Sequence, residues 1–225
     1  MSGIFVAGLD LGQSHDFTAL VIAEARGTSQ VLETNEPVPR TFAVEAMPLA
    51  QLDVGYIERF PLGTRYQSIA DQMAARCIKM RQPRYLAIDK TGVGAGPVEM
   101  MASLSPVAVT ITSGDKTTRL SDQEYHVPKR DLVSAAQVIV QNHILRIAKG
   151  LPHRELLARE MLSFRCKISA GGHDTYEAWR EKDHDDLVLA LAIAIWTAQI
   201  IISMSAMEII GRYTERRFDD PISPF

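Results

Sequence analysis

The sequence predicts an α/β fold in which a mixed central sheet is flanked by helices. Residues 4–11 and 17–25 are two short apolar runs on either side of a polar turn, which is typical of a β-hairpin. Residues 65–81 then carry apolar side chains four positions apart, and residues 85–88 form another short apolar run. A strand, a helix and a second strand in this order predict a parallel pair joined by a crossover, so one sheet is expected to contain both kinds of strand pairing.

The remaining segments add strands and helices to this sheet. Residues 41–44 are expected to form a third strand, which residues 56–60 either extend or replace, and residues 107–112 and 145–147 two more. Helices are predicted from Pro97, because Pro is favourable in a first helical turn, and over residues 129–142 and 152–164. A β-hairpin is predicted over residues 165–179, directly before a long last helix that begins near Asp185. We expect one domain over residues 1–206 and a charged, poorly ordered tail over residues 207–225.

Length and composition are those of one soluble domain, with 225 residues of which 46% are hydrophobic and 23% charged. The net charge of −3 argues against a protein that coats nucleic acid through bulk positive charge. It is compatible with a nuclease, because the acids of a metal site lower the net charge. Cys77 and Cys166 lack the spacing of a zinc site, and no secretion signal is visible. A reducing cytoplasm is therefore the expected location, in a bacterium or a phage-infected host cell.

Residues 187–202 are apolar enough to suggest a membrane span. Thr197 and Gln199 interrupt the segment, two aspartates precede it, and its first half is rich in Ala. These features favour a helix buried inside the protein, and we expect no association with a membrane.

Carboxylates stand at three positions where apolar side chains surround them. Asp10 lies inside or at the end of the first strand, Asp89 ends the strand after the crossover, and the pair Asp185-Asp186 opens the last helix. A carboxylate in such surroundings is unfavourable unless it is paired or bound to a metal. A crossover that sets the two strands side by side would bring their aspartates to one edge of the sheet, and the helix would bring its own acids there. Oxygen ligands of this kind suit Mg²⁺ or Mn²⁺ better than zinc.

The segments around these acids resemble the nuclease motifs of the large terminase subunit of tailed phages. Residues 8–12 (GLDLG) and 16–20 (DFTAL) are similar to the first motif, and residues 87–94 (AIDKTGVG) to the second. Residues 184–192 (HDDLVLALA) are similar to the third and are the most specific. The order and spacing also fit, from about residue 4 to residue 203, as do residues 127–132 (VPKRDL).

The resemblance implies a ribonuclease H-like endonuclease that cuts double-stranded DNA during packaging by two-metal hydrolysis. It assigns the metal ions to Asp10, Asp89, Asp185 and Asp186, and catalysis to Asp10, Asp89 and Asp186. Comparison with the related junction resolvases favours Asp186 within the pair, so that Asp185 binds the second ion or caps the helix. No phosphate-binding Gly-Lys-Ser/Thr loop is present, so the motor activity is expected to reside in a separate ATPase domain or in other packaging subunits.

Further residues are candidates for auxiliary roles. His184 is a candidate for proton transfer, Lys90 for a phosphate contact, and Asp16 for an approach to the metals from its turn; each also has an ordinary surface interpretation. The candidate DNA-binding residues are basic residues in local clusters, which are equally typical of a solvated face. They are Lys129, Arg130, Arg165, Lys167 and Arg180.

Three other functions remain open from the sequence. A junction resolvase would use the same chemistry on a structured DNA substrate. An ATP-binding protein of the sugar-kinase and heat-shock ATPase superfamily would share the Gly-x-Asp-x-Gly turn of residues 8–12, although such proteins need two domains of this kind around the nucleotide. A non-catalytic module that merely keeps the fold would be expected to have lost at least one of the acids.

Overall fold

The computed structural model describes residues 3–12, 16–27, 49–80, 84–93, 95–170 and 185–219, with the backbone alone at residues 163–170 and 205–219. Within these residues the predicted strands and helices follow one another in the expected order, with β6 and β7 added between β5 and α3. The strands are β1 (Ile4–Asp10), β2 (Ala19–Gly27), β3 (Leu49–Arg59), β4 (Arg84–Asp89), β5 (Val107–Thr112), β6 (Thr118–Ser121), β7 (Glu124–Pro128) and β8 (Leu145–Ile147). The helices are α1 (Tyr66–Lys79), α2 (Gly96–Met100), α3 (Lys129–Gln141), α4 (Arg154–Ala170) and α5 (Asp186–Asp219), with a 3₁₀ turn at Ala102–Leu104.

The strands form one mixed eight-stranded sheet in the order β6-β7-β5-β4-β1-β2-β3-β8. β1 pairs antiparallel with β2, as the predicted hairpin requires, and parallel with β4, as the predicted crossover requires. β5 and β7 continue the parallel series beyond β4. The carboxyl ends of β1, β4, β5 and β7 therefore lie along one edge of the sheet, which we call the carboxyl edge.

The sequence prediction was wrong or incomplete at three places, one in helix α4 and two in the sheet. Residues 165–170 continue α4, because each residue that extends an existing helix adds a backbone hydrogen bond. The predicted hairpin therefore does not begin at Arg165, and its remainder lies outside the described residues. The hairpin of β6 and β7 was not predicted. Strand β3 contains residues 56–59 of the predicted segment and begins earlier than expected, at Leu49. The predicted strand at residues 41–44 lies outside the described residues.

The last helix passes the predicted end of the domain. Its backbone is helical from Asp186 to Asp219, so no helix end coincides with residue 206. The division into a domain and a poorly ordered tail stays a prediction.

Side chains alternate between the two faces of the sheet, and a separate core covers each face. The α5 face carries Val6 and Ala87 and packs against α3, α4 and α5. The α1 face carries Leu9 and Ile88 and packs against α1 and α2. Asp10 and Asp89 follow at even spacing from Val6 and Ala87, so both aspartates belong to the α5 face.

Helix α5 crosses β1 at very close range. A Cβ atom at position 8 would lie 2.0 Å from the carbonyl oxygen of Ala190, so Gly8 is required for this approach. Ile202, further along the helix, lies against Gly27 at the end of β2, which is beside the start of β1. The helix thus runs antiparallel to β1, and its first residues lie over the carboxyl edge.

By length and composition, Asp186–Met204 could cross a membrane, but 67% of this segment is buried inside the protein. Core helices of soluble proteins share these properties, and the contacts of α5 with β1 and β2 are of that kind.

Candidate active site

Asp10 and Asp89 end two neighbouring parallel strands. The register pairs Leu9 with Ile88, so the next position on each strand sets Asp10 beside Asp89. Neighbouring strands are about 4.8 Å apart, and both side chains leave the same face. Asp89 is buried, and its Oδ1 accepts a hydrogen bond of 2.7 Å from the backbone N–H of Thr91. This bond fixes the carboxylate at the turn where the chain leaves the sheet.

Asp186 approaches the two strand acids from the helix above. It precedes Ala190 by four residues, about 6 Å along a helix, and Asp10 follows Gly8 by two residues, about 6.6 Å along a strand. Since Ala190 lies on Gly8 and the two elements are antiparallel, these displacements have the same direction. Asp186, which is buried, is therefore placed over the end of β1.

Asp185 stands immediately before the helix. Its backbone carbonyl accepts the hydrogen bond of Leu189 N–H at 3.0 Å, which is the first bond of the helix. Asp185 thus occupies the N-cap position, and its role as a metal ligand or as a side-chain cap stays a prediction.

An arginine belongs to the same row of side chains. Across the sheet, Asp10 pairs with Ala19, and Ala19 pairs with Arg59 at the end of β3. Residues in one row point to the same face, so Arg59 faces α5 at two strand spacings from Asp10.

The Arg59 guanidinium binds Asp186. Its Nη2 donates to Asp186 Oδ2 at 2.6 Å, and the two side chains are only 13% and 7% exposed. The guanidinium also lies 3.7 Å from the centre of the Phe17 ring. A charge-assisted bond at this distance and burial is a strong one, and the aromatic contact restricts the arginine further.

Glu160, on α4, adds a further buried carboxyl group. Its Oε2 accepts the hydrogen bond of Val188 N–H at 3.0 Å and so satisfies a free N–H in the first turn of α5. Burial raises the pKa of Glu160 from 4.5 to about 7; the negative charge of Asp186 also raises it, whereas the Val188 hydrogen bond and Arg59 lower it. The site thus combines four acids, two at strand ends and one each on α4 and α5, with the guanidinium of Arg59.

The donor chemistry of this corner suits a hard divalent cation, since it consists of carboxylate oxygens. The present positions of the side chains do not. Among the residues described, no group of three or more His, Cys, Asp or Glu side chains lies close enough to hold a metal ion. The structure brings Asp10, Asp89 and Asp186 to one corner, but the carboxylate of Asp186 is directed to Arg59.

Two of the three auxiliary candidates, Lys90 and Asp16, lie near the carboxyl edge. Lys90 Nζ binds Glu124 of β7, which lowers the pKa of that glutamate. Asp16 is exposed and lines a small cavity of about 300 Å³ together with Gly12 and the start of α1. His184 lies outside the described residues. The roles considered for the three stay predictions.

Two of the predicted DNA-binding residues occupy the carboxyl edge. Lys129 and Arg130 begin α3 directly after β7, two strands beyond β4. Arg130 is exposed and binds Asp115 at 2.8 Å. Arg165 and Lys167 belong to α4, where only the backbone is described, and Arg180 lies outside the described residues.

Sequence reasoning missed Arg59 and Glu160, although each had a signal. Arg59 is two residues after Ile57 on β3, so a charge follows an apolar residue on the inward face of a strand. Glu160 is three residues after Leu157 on α4, so it lies on the buried face of a helix. A charged residue at an inward position was the pattern to look for.

No family model matches the sequence, and no curated protein sequence matches it. Solved structures do. The terminase nuclease domain of human cytomegalovirus, soaked with Mn and with an inhibitor bound, is similar with a TM-score of 0.51 at 12% identity, over 90% of this chain and 86% of that one. The large terminase nuclease of the thermophilic phage G20c has a TM-score of 0.48 at 14% identity, over 85% of this chain and 81% of that one.

The mixed sheet with helices on both faces is the α/β architecture of ribonuclease H-like nucleases. Within that class, the likeness to the cytomegalovirus domain shows that this chain has the fold of a terminase nuclease. The expected fold, that of a terminase nuclease domain, is thereby confirmed.

Proposed function

We propose that this chain is a metal-dependent endonuclease that hydrolyses phosphodiester bonds of double-stranded DNA, as in phage DNA packaging. The observation that carries the proposal is that Asp10 and Asp89 lie side by side on the α5 face at the carboxyl edge, with Asp186 on the helix above them. Three elements distant in sequence bring acids to one corner, although buried carboxylates are unfavourable for stability alone. A terminase nuclease fold gives this arrangement a reaction.

The proposed reaction is in-line attack of water on the phosphodiester, with loss of the 3′ oxygen. Two divalent ions, Mg²⁺ or Mn²⁺, would supply the activated water and the charge that stabilises the leaving oxygen. Asp10, Asp89 and Asp186 are proposed as ligands and catalytic residues, and Asp185 as a further ligand or helix cap. Oxygen ligands from rigid strands and a helix end suit these ions.

The carboxyl edge is the proposed side of DNA approach. Lys129 and Arg130 lie there, and basic side chains at such positions bind phosphate. The proposed partners are double-stranded DNA and an ATPase domain or packaging subunits, and the proposed location is the cytoplasm of the host cell.

Cleavage of supercoiled plasmid in Mg²⁺ or Mn²⁺ tests the proposal. We expect nicking by the wild type and its loss in Asp10→Ala, Asp89→Ala and Asp186→Ala. Asp185→Ala is expected to keep part of the activity if Asp185 only caps the helix. Asp71→Ala is the matched control, since Asp71 is an exposed acid on α1 that binds Gln67. Nicking that persists in Asp10→Ala, or ATP turnover without nicking, would contradict the proposal.

A further inference from the structure

Arg59 is held in place by several independent contacts. It lies at the end of β3, stacks on Phe17 at 3.7 Å and is largely buried. Its Nε is buried, and no hydrogen-bond partner for it exists among the described residues. The guanidinium is therefore a fixed positive charge in the acidic corner rather than a surface charge that swings freely.

This fixed charge binds the same carboxylate that the proposed function gives to a metal ion. Asp186 Oδ2 lies 2.6 Å from Arg59 Nη2. A guanidinium and a divalent cation repel each other, and in a partly buried site solvent screens that repulsion only weakly. We therefore do not expect Asp186 to bind both cations at the same time.

The row of side chains on the α5 face shows which way the Asp186 carboxylate must turn to reach each cation. Across the sheet the order is Asp89, Asp10, Ala19 and Arg59, so Arg59 and Asp89 stand at opposite ends. A carboxylate that turns toward Arg59 turns away from Asp89. This agrees with the finding that the described acids do not converge into a group of three.

We propose that Arg59 competes with divalent metal for Asp186. In the metal-free protein Arg59 balances the charge of Asp186, and metal binding requires Asp186 to leave the guanidinium and join Asp10 and Asp89. Arg59 thereby sets the metal concentration at which the third acid enters the site. This inference rests on the proposed function, since it assumes that Asp186 is a metal ligand.

Direct Mn²⁺ binding, followed by the loss of the free-ion signal in electron paramagnetic resonance, tests the competition without any measurement of cleavage. Arg59→Gln is expected to bind Mn²⁺ more tightly than the wild type. The change should be on the order of ten- to a hundredfold, the size typical of altered partners of metal ligands, but in the direction of tighter binding. Arg76→Gln is the matched control, because Arg76 also binds a carboxylate and stacks on aromatic rings, but on the α1 face. It is expected to leave Mn²⁺ binding unchanged.

Equal or weaker Mn²⁺ binding by Arg59→Gln would overturn the inference and make Arg59 a support for a metal ligand. Asp10→Asn separates this result from failure of the proposed function. If Asp10→Asn reduces Mn²⁺ binding, the metal site stands and only the competition is wrong; if it does not, the proposed site is wrong as well. A crystal of the wild type soaked with Mn²⁺ covers the case in which Arg59→Gln does not fold. We expect Asp186 to lie more than about 4 Å from Arg59 there, beyond ion-pair distance, and an intact pair beside a bound ion would also overturn the inference.

Discussion

Two arginine–carboxylate pairs meet at the end of β3, on opposite faces of the sheet. Glu58 and Arg59 are neighbours on the strand, so their side chains point to opposite faces. On the α1 face Arg76 binds Glu58, with side chains 23% and 25% exposed, and stacks near Tyr56. On the α5 face Arg59 binds Asp186 and stacks on Phe17, deeper in the protein. The two pairs have the same chemical components.

The difference between the pairs lies in their surroundings. The Arg76 pair joins α1 to β3 and includes the Tyr56 hydroxyl, whose pKa is raised mainly by burial. The Arg59 pair lies near the buried Glu160, in a row of side chains that also carries Asp10 and Asp89. An ion pair is thus structural on one face and part of a candidate active site on the other. The number of nearby acids, rather than the pair itself, distinguishes the two.

Substitution of each arginine should lower the free energy of unfolding by different amounts in the two pairs. In the absence of divalent metal, Arg59→Leu leaves a buried aspartate without its cation and is expected to destabilise the protein by about 3–5 kcal/mol. Arg76→Leu breaks a more exposed pair and is expected to destabilise it by about 1 kcal/mol or less. Urea unfolding in EDTA measures both free energies.

Metal should reverse only one of these losses. We expect Mn²⁺ to restore much of the stability of Arg59→Leu, because a bound ion stabilises the folded state by mass action. Arg76→Leu should gain no more than the wild type gains. Equal destabilisation by the two substitutions would show that the surroundings of the pairs are energetically alike.

Glu160 sharpens the comparison through pH. Its pKa rises from 4.5 to about 7 on folding, so the folded protein holds this proton more tightly than the unfolded chain. The stabilisation that this bound proton contributes is fully present below pH 4.5 and is lost as the pH rises through 7. Since each pKa unit corresponds to 1.36 kcal/mol, the loss from this group is about 3 kcal/mol. Glu160→Gln, which carries no charge to bury, should lack this loss.

Unfolding free energies between pH 4.5 and pH 8 in EDTA give the comparison between wild type and Glu160→Gln. The two proteins should differ little at the acidic end, and the variant should be the more stable one at pH 8. Parallel pH profiles would mean that Glu160 titrates in the folded protein as it does in the unfolded chain. Glu58→Gln, which removes the carboxylate of the Arg76 pair on the α1 face, is the matched substitution.

Much of this corner could be predicted from the sequence, because local patterns carry it. Asp10 and Asp89 end apolar strands, and the hairpin and crossover fix their strands as neighbours. Asp186 follows from the motif and from the apolar helix behind it. Such features depend on periodicity within a short segment, which sequence shows directly.

The partners of these acids could not be predicted, because they depend on register between distant segments. Arg59 reaches the corner only through the pairing of β2 with β3, including an irregularity between Ile22 and Ala23 that shifts one strand against the other. A shift of one residue would send Arg59 to the α1 face and bring Glu58 to the acids. Glu160 likewise depends on how α4 packs beside α5. The predicted end of α4 before residue 165 was wrong for a related reason, since the local sequence there is compatible with a helix or with a strand.

The smallest expected effect is on DNA affinity, and it compares basic residues at the two edges of the sheet. Arg130 lies at the carboxyl edge, and Arg26, which is similarly exposed, lies near the end of β2 at the opposite edge; each binds a nearby acid. If DNA approaches the carboxyl edge, Arg130→Gln should weaken binding and lower the slope of log affinity against log salt by about 1, the effect of one lost phosphate contact. Arg26→Gln should leave the slope unchanged. Fluorescence anisotropy of a labelled duplex, titrated in EDTA at several salt concentrations, measures both slopes. A lower slope for Arg26→Gln alone would place the DNA at the other edge, away from Asp10 and Asp89, and would contradict both the proposed side of approach and the assignment of the acids.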